Sequence, residues 1–428
     1  MRRGIVRDSV LFFGRNHHIL PDIFFIYMVS LADIHAAETK IFPHIIHTPL
    51  VHSPTLSDLT GANVYLKLET LQKAGSFKVR GATNKIISHA TTSRTPGVVA
   101  ASAGNHAQGV AVAARSAGIP ATIVMPEWSS LTKQEATRSY GAQVIIHGRT
   151  LEESIEKAKE IARKGNIFIH PYDDDAVIAG QGTIGLEILH DLPATDIIVV
   201  PVGGGGLIAG IATAAKGMKP DITIIGARSS LCPSAGEVLR NGSSCSTQAG
   251  KTIADGIRVA ETGTRTLPII QQYVDRHVLA TEEEIADAML LLLERKHIVA
   301  EGAGAVPLAV ILNGSIEIPP GSNVVLVISG GNVESTLLFR VVRQSLVRQG
   351  RVMRFSVLLD DQPGTLARIL TLIAQERGNI IQINHMQGER DTPLQMARVN
   401  IELETRGWDH IREIKRVLTD GGYEIRME

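Results

Sequence analysis

The sequence predicts a mainly parallel, doubly wound α/β body followed by a small α+β unit. Three observations carry this. Between Val64 and Ile328, short apolar strands alternate with helical stretches, the pattern of successive strand–helix–strand units. The run from Ile197 to Val202 is apolar at every position, as a strand buried on both faces requires. After about Gly350 the composition shifts, and Ala397, Val399, Ile401 and Leu403 alternate with polar residues, the mark of a strand with one wet face.

Taken in order, Leu31 to Phe42 reads as an amphipathic helix, stopped by Thr48-Pro49-Leu50. Strands are expected at Val64–Glu69, Gly97–Ala101, Ala121–Met125, Gln143–Ile146, Ile197–Val202, Ile222–Ala227 and Val324–Ile328. Helices are expected from the turn at Ser102–Gly109 through Ala117, at Leu131–Tyr140 and Leu151–Lys164, from Gly206 to Lys216, and at Glu282–Glu294. Beyond Gly350 the order is strand Met353–Leu359, helix Thr365–Arg377, strands Ile380–Met386 and Ala397–Leu403, a helix from Trp408 through Leu418, and strand Tyr423–Met427. That is a βαββαβ unit with helices on one face of an antiparallel sheet. The expected organisation is an N-terminal extension (1–27), a body (28–345) with a smaller subdomain at about 72–175, and the tail (351–428).

Composition narrows the function. Lys+Arg and Asp+Glu are both 43, so formal net charge is zero, and no basic patch points to nucleic acid. Arg2, Arg3 and Arg7 precede apolar runs at Leu11-Phe12-Phe13 and Ile23–Tyr27, but Arg15 to His18 and Asp22 break any signal-peptide core, and no window spans a membrane. The extension reads as loosely ordered, with Met28 opening the normal segment. Cys232 and Cys245 fit neither zinc spacing nor a disulfide framework and read as reduced thiols of a cytoplasmic protein.

The chemistry centres on Ala74-Gly75-Ser76-Phe77-Lys78-Val79-Arg80-Gly81-Ala82, one lysine among small residues, with Phe77 as a flat neighbour. A lysine amine in a desolvated setting forms Schiff bases with carbonyls. Gly203, Gly204, Gly205 and Gly206, between a buried strand and a helix, offer N–H groups and a helix dipole to a phosphate. No Lys-Ser/Thr follows, so this is not a P-loop. A reactive lysine and a phosphate cradle together suggest pyridoxal 5′-phosphate, with Phe77 against its ring. Ser329, at the carboxyl end of the last body strand, is placed to meet the pyridine nitrogen. A serine there would not hold a proton on that nitrogen, which suits elimination from carbon β.

Five motifs stand in order: Gly75–Ala82, Ser102-Ala103-Gly104-Asn105-His106-Ala107-Gln108-Gly109, Gly203–Leu207, Glu301-Gly302-Ala303-Gly304-Ala305 and Ser329-Gly330-Gly331-Asn332. Over about residues 30–345 the chain resembles the fold-type II pyridoxal-phosphate enzymes, specifically the threonine dehydratases. By that resemblance Lys78 is the Schiff-base lysine and α-proton base, and Asn105 bonds the cofactor's phenolic oxygen. Gly203, Gly204, Gly205, Gly206 and Leu207 hold the phosphate, Ser329 meets the ring nitrogen, Gly330 also binds the cofactor, and Glu301 lines the ring and substrate side. Ser102, Ala103, Gly104, Asn105 and His106 take the substrate carboxylate through N–H groups. The resemblance implies conversion of L-threonine, and of L-serine, to a 2-oxo acid and ammonia. A racemase or β-replacement synthase of the same fold, and a non-catalytic amino-acid sensor, are the alternatives.

Two positions depart from neighbouring families. Serine racemases resemble this chain but carry a serine where it has Ala103, whose methyl group cannot move a proton. Relatives with a divalent cation often carry a glutamate where this chain has Arg228, so no metal is expected. The tail resembles an ACT domain, with Asp361, Gly364 and Leu366 between its first strand and helix, and Asn379 opening the second strand. That likeness implies an amino-acid effector, or a pairing module without a ligand, in a homodimer or homotetramer.

Overall fold

The computed structural model describes residues 28–90, 96–232, 250–259, 261–388 and 391–427. The extension at 1–27 and Cys245 lie outside them. The chain opens with α1 (Leu31–Ile41), β1 (Leu50–His52), α2 (Pro54–Thr60) and β2 (Asn63–Leu68). A second layer follows in α3 (Lys78–Ala90), β3 (Val98–Ala101), α4 (Asn105–Ala117), β4 (Ala121–Met125), α5 (Leu131–Ser139), β5 (Gln143–Ile146), α6 (Leu151–Ala162) and β6 (Ile167–Phe168). Then come α7 (Asp175–Asp191), β7 (Ile197–Pro201), α8 (Gly206–Met218), β8 (Thr223–Ser229), α9 (Thr266–Tyr273), β9 (Arg276–Ala280), α10 (Glu282–Lys296), α11 (Gly302–Leu312) and β10 (Asn323–Ile328). Helix α12 (Ser335–Arg348) leads into β11 (Val352–Asp360), α13 (Thr365–Gln375), β12 (Asn379–Met386), β13 (Met396–Glu404), α14 (Trp408–Asp420) and β14 (Ile425–Met427).

The larger body sheet has six strands in the order β1-β2-β10-β7-β8-β9, parallel except for the edge strand β1. The smaller is a four-stranded parallel sheet, β5-β4-β3-β6. Every residue of β7 is buried, as its unbroken apolar run requires. Both sheets point the carboxyl ends of their strands toward loops, where open α/β sheets place their sites.

The tail sheet is antiparallel, in the order β12-β13-β11-β14. Phe355, Val357, Val399 and Ile401 pack against Ile369 and Ile373 of α13 and Ile411, Ile414 and Leu418 of α14. The opposite face carries Arg354, Gln382, Asn384, Asn400 and Glu402, with Leu358 and Met386 toward one end. The last strand starts later than Tyr423, whose N–H closes the turn after α14 by donating to the Leu418 carbonyl at 2.9 Å.

The sequence reading assigns no element to 175–191, yet α7 is central to the body. It is buried from Val177 through Leu189, so it shows no amphipathic stripe. Its glycines mark close helix contacts. A Cβ on Gly180 would lie 2.7 Å from the Gly81 Cα of α3, and one on Gly182 would lie 2.9 Å from the Gly210 carbonyl of α8. Among the described residues no helix is long and apolar enough to cross a membrane.

Candidate active site

Backbone pairing fixes the lysine stretch onto the end of β10. Ser76 and Gly330 form an isolated antiparallel bridge. The Phe77 N–H donates to the Ser329 carbonyl at 3.1 Å, and the Gly331 N–H to the Gly75 carbonyl at 2.9 Å. Gly75 has φ of +66°, and a Cβ there would come 2.5 Å from Asn332 Oδ1, so the turn admits only glycine. Lys78 therefore starts α3 directly beside Ser329. A Cβ on Gly109 of α4 would lie 3.0 Å from the Lys78 backbone.

The Lys78 side chain borders a cleft and is otherwise enclosed by protein. Its Nζ donates to the Pro171 carbonyl at 2.7 Å and lies 5.1 Å from the centre of the Phe77 ring. Loss of water lowers its pKa to about 8, against a smaller upward pull from Glu301.

On the other side, three side chains form a chain of hydrogen bonds. Asn332 Nδ2 donates to Asn105 Oδ1 at 2.8 Å, and Asn105 Nδ2 donates to both Glu301 oxygens, at 2.7 and 2.9 Å. Glu301 precedes α11, and its N–H donates to the Gly330 carbonyl at 3.0 Å. Burial, then the negative charge of Asp255, raises the Glu301 carboxyl to about 7, opposed by Asn105, Lys133 and Lys78.

The glycine loop lies at the start of α8. Gly205 caps that helix with φ of +96° and with no side-chain cap, which leaves first-turn N–H groups for an anion. The Tyr172 ring packs onto the loop so closely that a Cβ on Gly204 would sit 2.4 Å from it. Thr266 Oγ1 holds the loop from behind, donating to the Gly204 carbonyl at 2.8 Å. Pro171 and Tyr172 thus join the two halves of the site, one accepting from Lys78 and the other covering the glycines. Ser76 Oγ is buried with no partner among the described residues. An enclosed amine, an uncapped glycine-lined helix start and an orphaned hydroxyl fit a phosphorylated aldehyde.

The loop at Ser102–His106 runs into α4 beside Glu301 and Lys78. The Gly104 N–H donates to Ser102 Oγ at 3.1 Å, Ala103 is half-buried, and α4 starts at Asn105 without a side-chain cap. His106 Nε2 donates to the Ile169 carbonyl at 2.9 Å, and burial, then Lys78, lowers its pKa to about 3, so the ring is neutral. The structure therefore brings together Phe77, Lys78, Asn105, Glu301, Ser329, Gly330, the glycine loop and the Ser102–His106 loop.

Tyr172 falls in none of the sequence motifs, and Asn332, the last residue of the fifth motif, gains its role only from the fold. The signal for Tyr172 is local: Pro171-Tyr172 lies just past β6, before Asp174, which caps α7 by accepting from the Ala176 and Val177 N–H groups. Arg228 is buried in β8, with Nε donating to the Cys232 carbonyl at 2.8 Å. Among the described residues no group of three His, Cys, Asp or Glu is placed to hold a metal ion.

The four tail positions do not converge within one chain. Gly364 precedes α13 with φ of +89°, Leu366 packs into the tail core, and Asp361 Oδ1 accepts from Gln387 Nε2 at 2.7 Å. Asn379 instead bonds Glu404 at 2.8 Å, at the end of β13 that pairs with Val352. Asp360 pairs with Met396, eight residues along the strand, or about 27 Å at the usual rise.

Comparison with known proteins agrees with this geometry. A family model described as pyridoxal-phosphate dependent enzyme matches residues 41–330. The chain is similar to the L-threonine ammonia-lyase of Thermotoga maritima, 46% identical over 94% of this chain and 100% of that one. It is also similar to a catabolic L-threonine dehydratase of Staphylococcus aureus, 47% identical over 75% of this chain and 94% of the other. Among solved structures, a threonine deaminase of Solanum lycopersicum, the processed form of isoform 2, matches at TM-score 0.69 and 34% identity, covering 77% of this chain and 98% of that one. Maize serine racemase matches at TM-score 0.71 and 33% identity, covering 75% and 99%.

Proposed function

The chain belongs to the pyridoxal-phosphate dependent enzymes, and from that premise we propose that it is a threonine ammonia-lyase. It converts L-threonine to 2-oxobutanoate and ammonia, and L-serine to pyruvate and ammonia. One observation carries the reading: a lysine amine with its pKa lowered to about 8 shares Pro171-Tyr172 with a glycine loop suited to phosphate. The long T. maritima match supports threonine as substrate.

Gly203 to Leu207 would hold the phosphate at the start of α8, with Tyr172 covering the loop. Phe77 would lie beside its ring, Asn105 would orient it, Ser329 would meet its nitrogen, and Gly330 would also contact it. When bound, pyridoxal phosphate supplies the carbonyl that takes the substrate amine and the sink for electrons released at the α-carbon. Lys78, neutral above about pH 8, takes the α-proton. N–H groups at the start of α4 hold the substrate carboxylate, and neutral His106 anchors that loop through the Ile169 carbonyl. Glu301 fixes the Asn105 amide. Water lost on elimination is regained on hydrolysis to the 2-oxo acid and ammonia, so atoms balance.

The racemase likeness is met by Ala103. Inverting the α-carbon needs a second proton carrier on its other face, and a methyl group is not one. The βαββαβ tail supports an ACT-type module that answers an amino acid and pairs with a second copy, giving a homodimer or homotetramer. The bacterial relatives support a cytoplasmic enzyme. The test is 2-oxo acid release from L-threonine and L-serine by the purified chain. Release from neither would sink the lyase reading.

A further inference from the structure

A polar cavity of about 250 Å³ lies between α12 and the open face of the tail sheet. Its floor is built by cross-strand register. Arg354 of β11 stands opposite Glu402 of β13, which stands opposite Gln382 of β12, and Asn400 pairs with Asn384 in the next row of that face. Its roof is Arg343 of α12. Arg343 Nη2 donates to Glu402 Oε2 at 2.5 Å, and Arg354 Nη2 approaches Glu402 Oε1 at 3.4 Å.

Two guanidinium groups thus share one carboxylate, an excess of one positive charge. Arg354 Nε and Asn400 Oδ1 are shut away from water and have no partner among the described residues. One is an unused donor and the other an unused acceptor, and enclosed groups of both kinds cost free energy until they are paired. A ligand that pairs both must carry an oxyanion and an N–H or O–H donor a few ångströms apart. The lining side chains are almost all polar, so that ligand has little apolar bulk.

We infer that this cavity is a binding site for a small polar amino acid. Its carboxylate takes the guanidinium groups of Arg343 and Arg354, in competition with Glu402. Its ammonium donates to Asn400 Oδ1, which is covered in this structure and is reached once Arg343 leaves Glu402. The site is separate from the Asp361–Leu366 turn, and it bears on the active site through α12. Glu334, at the N-terminal boundary of that helix, accepts from Ser130 Oγ at 2.9 Å and lies 3.6 Å from Lys133 Nζ, both in or beside α5 of the smaller-sheet layer. A ligand that draws Arg343 away from Glu402 acts on the same helix about 13 Å further along.

The probe is glycine, titrated into the full-length holoenzyme by calorimetry. Glycine entering the active site is followed separately by the cofactor's visible absorbance, so the two events are read apart and a failed lyase assay would not imitate a failed cavity. The expected result is a saturable heat with no matching spectral change. Arg343→Gln weakens that binding at least tenfold. Glu402→Gln, which removes the competing carboxylate, tightens it several-fold. The proposal is overturned if every saturable heat tracks the cofactor spectrum, if both variants bind glycine as the parent does, or if inorganic phosphate binds and glycine does not.

Discussion

Lys78 differs from an ordinary lysine by its surroundings rather than its covalent chemistry. Enclosure removes water from the ammonium and lowers its pKa from 10.5 to about 8. Below pH 8 the amine holds its proton and cannot attack a carbonyl; above it the free base is present. Reconstitution of the apoenzyme with pyridoxal phosphate, followed by its visible band, should therefore speed up through about pH 8 and then level off. A rate still climbing beyond pH 10 would mean that the amine is solvated. Ala103 makes a second prediction at this scale. Chiral chromatography of serine remaining after partial turnover should find negligible D-serine. D-serine formed at a rate near that of pyruvate would show that another group protonates the second face.

At the scale of elements, α3 must hold Lys78 still, and two residues on, Arg80 anchors it. Arg80 is fully buried and bonds Glu69 at 2.8 and 2.9 Å and Glu187 of α7 at 2.6 and 2.9 Å. Lys67 of β2 pairs with Glu187 at 2.6 Å. Burial pushes the Glu187 carboxyl up, but Arg80 and Lys67 more than offset this and hold it below the usual carboxylate range. The network's contribution is therefore present at neutral pH and lost as pH falls below about 4. Arg80→Met would leave Glu69 without its buried cation and Glu187 with Lys67 alone, and should cost about 3–5 kcal/mol. Calorimetric unfolding should show a large drop in midpoint, against no measurable drop for Lys157→Ala, which breaks the surface pair with Glu160. An unchanged midpoint for Arg80→Met would contradict the anchoring role. Legibility also divides at this scale. Lys78, the glycine loop and the wholly apolar β7 announce themselves, because each is a local pattern with one physical cause. Helix α7 does not, because a helix buried all round has no stripe and its glycines answer to α3 and α8. Tyr172 is hidden for the same kind of reason: its partner Gly204 is distant in the chain, so only the fold shows why that glycine has no side chain.

At the scale of the molecule, every active-site residue named above precedes Gly350, and side-chain contacts join the tail to the body. Arg343 meets Glu402, Arg351 meets Glu294, and Trp408 Nε1 donates to the Arg348 carbonyl. Removing residues 351–428 should leave a folded core that binds pyridoxal phosphate and turns over threonine. That core should form a smaller oligomer by light scattering and lose any response to added amino acids. A truncated protein that answers the same effector at the same midpoint would place regulation in the body instead. The measurement that bears most directly on the whole account is a side-by-side assay of the full chain and Lys78→Ala. Both are given L-threonine and pyridoxal phosphate and followed for 2-oxobutanoate and for the cofactor's visible band. The parent should release 2-oxobutanoate and show the band, and the variant should do neither. Turnover by the variant within tenfold of the parent, or persistence of its band, would contradict the assignment of Lys78 as the centre of the reaction.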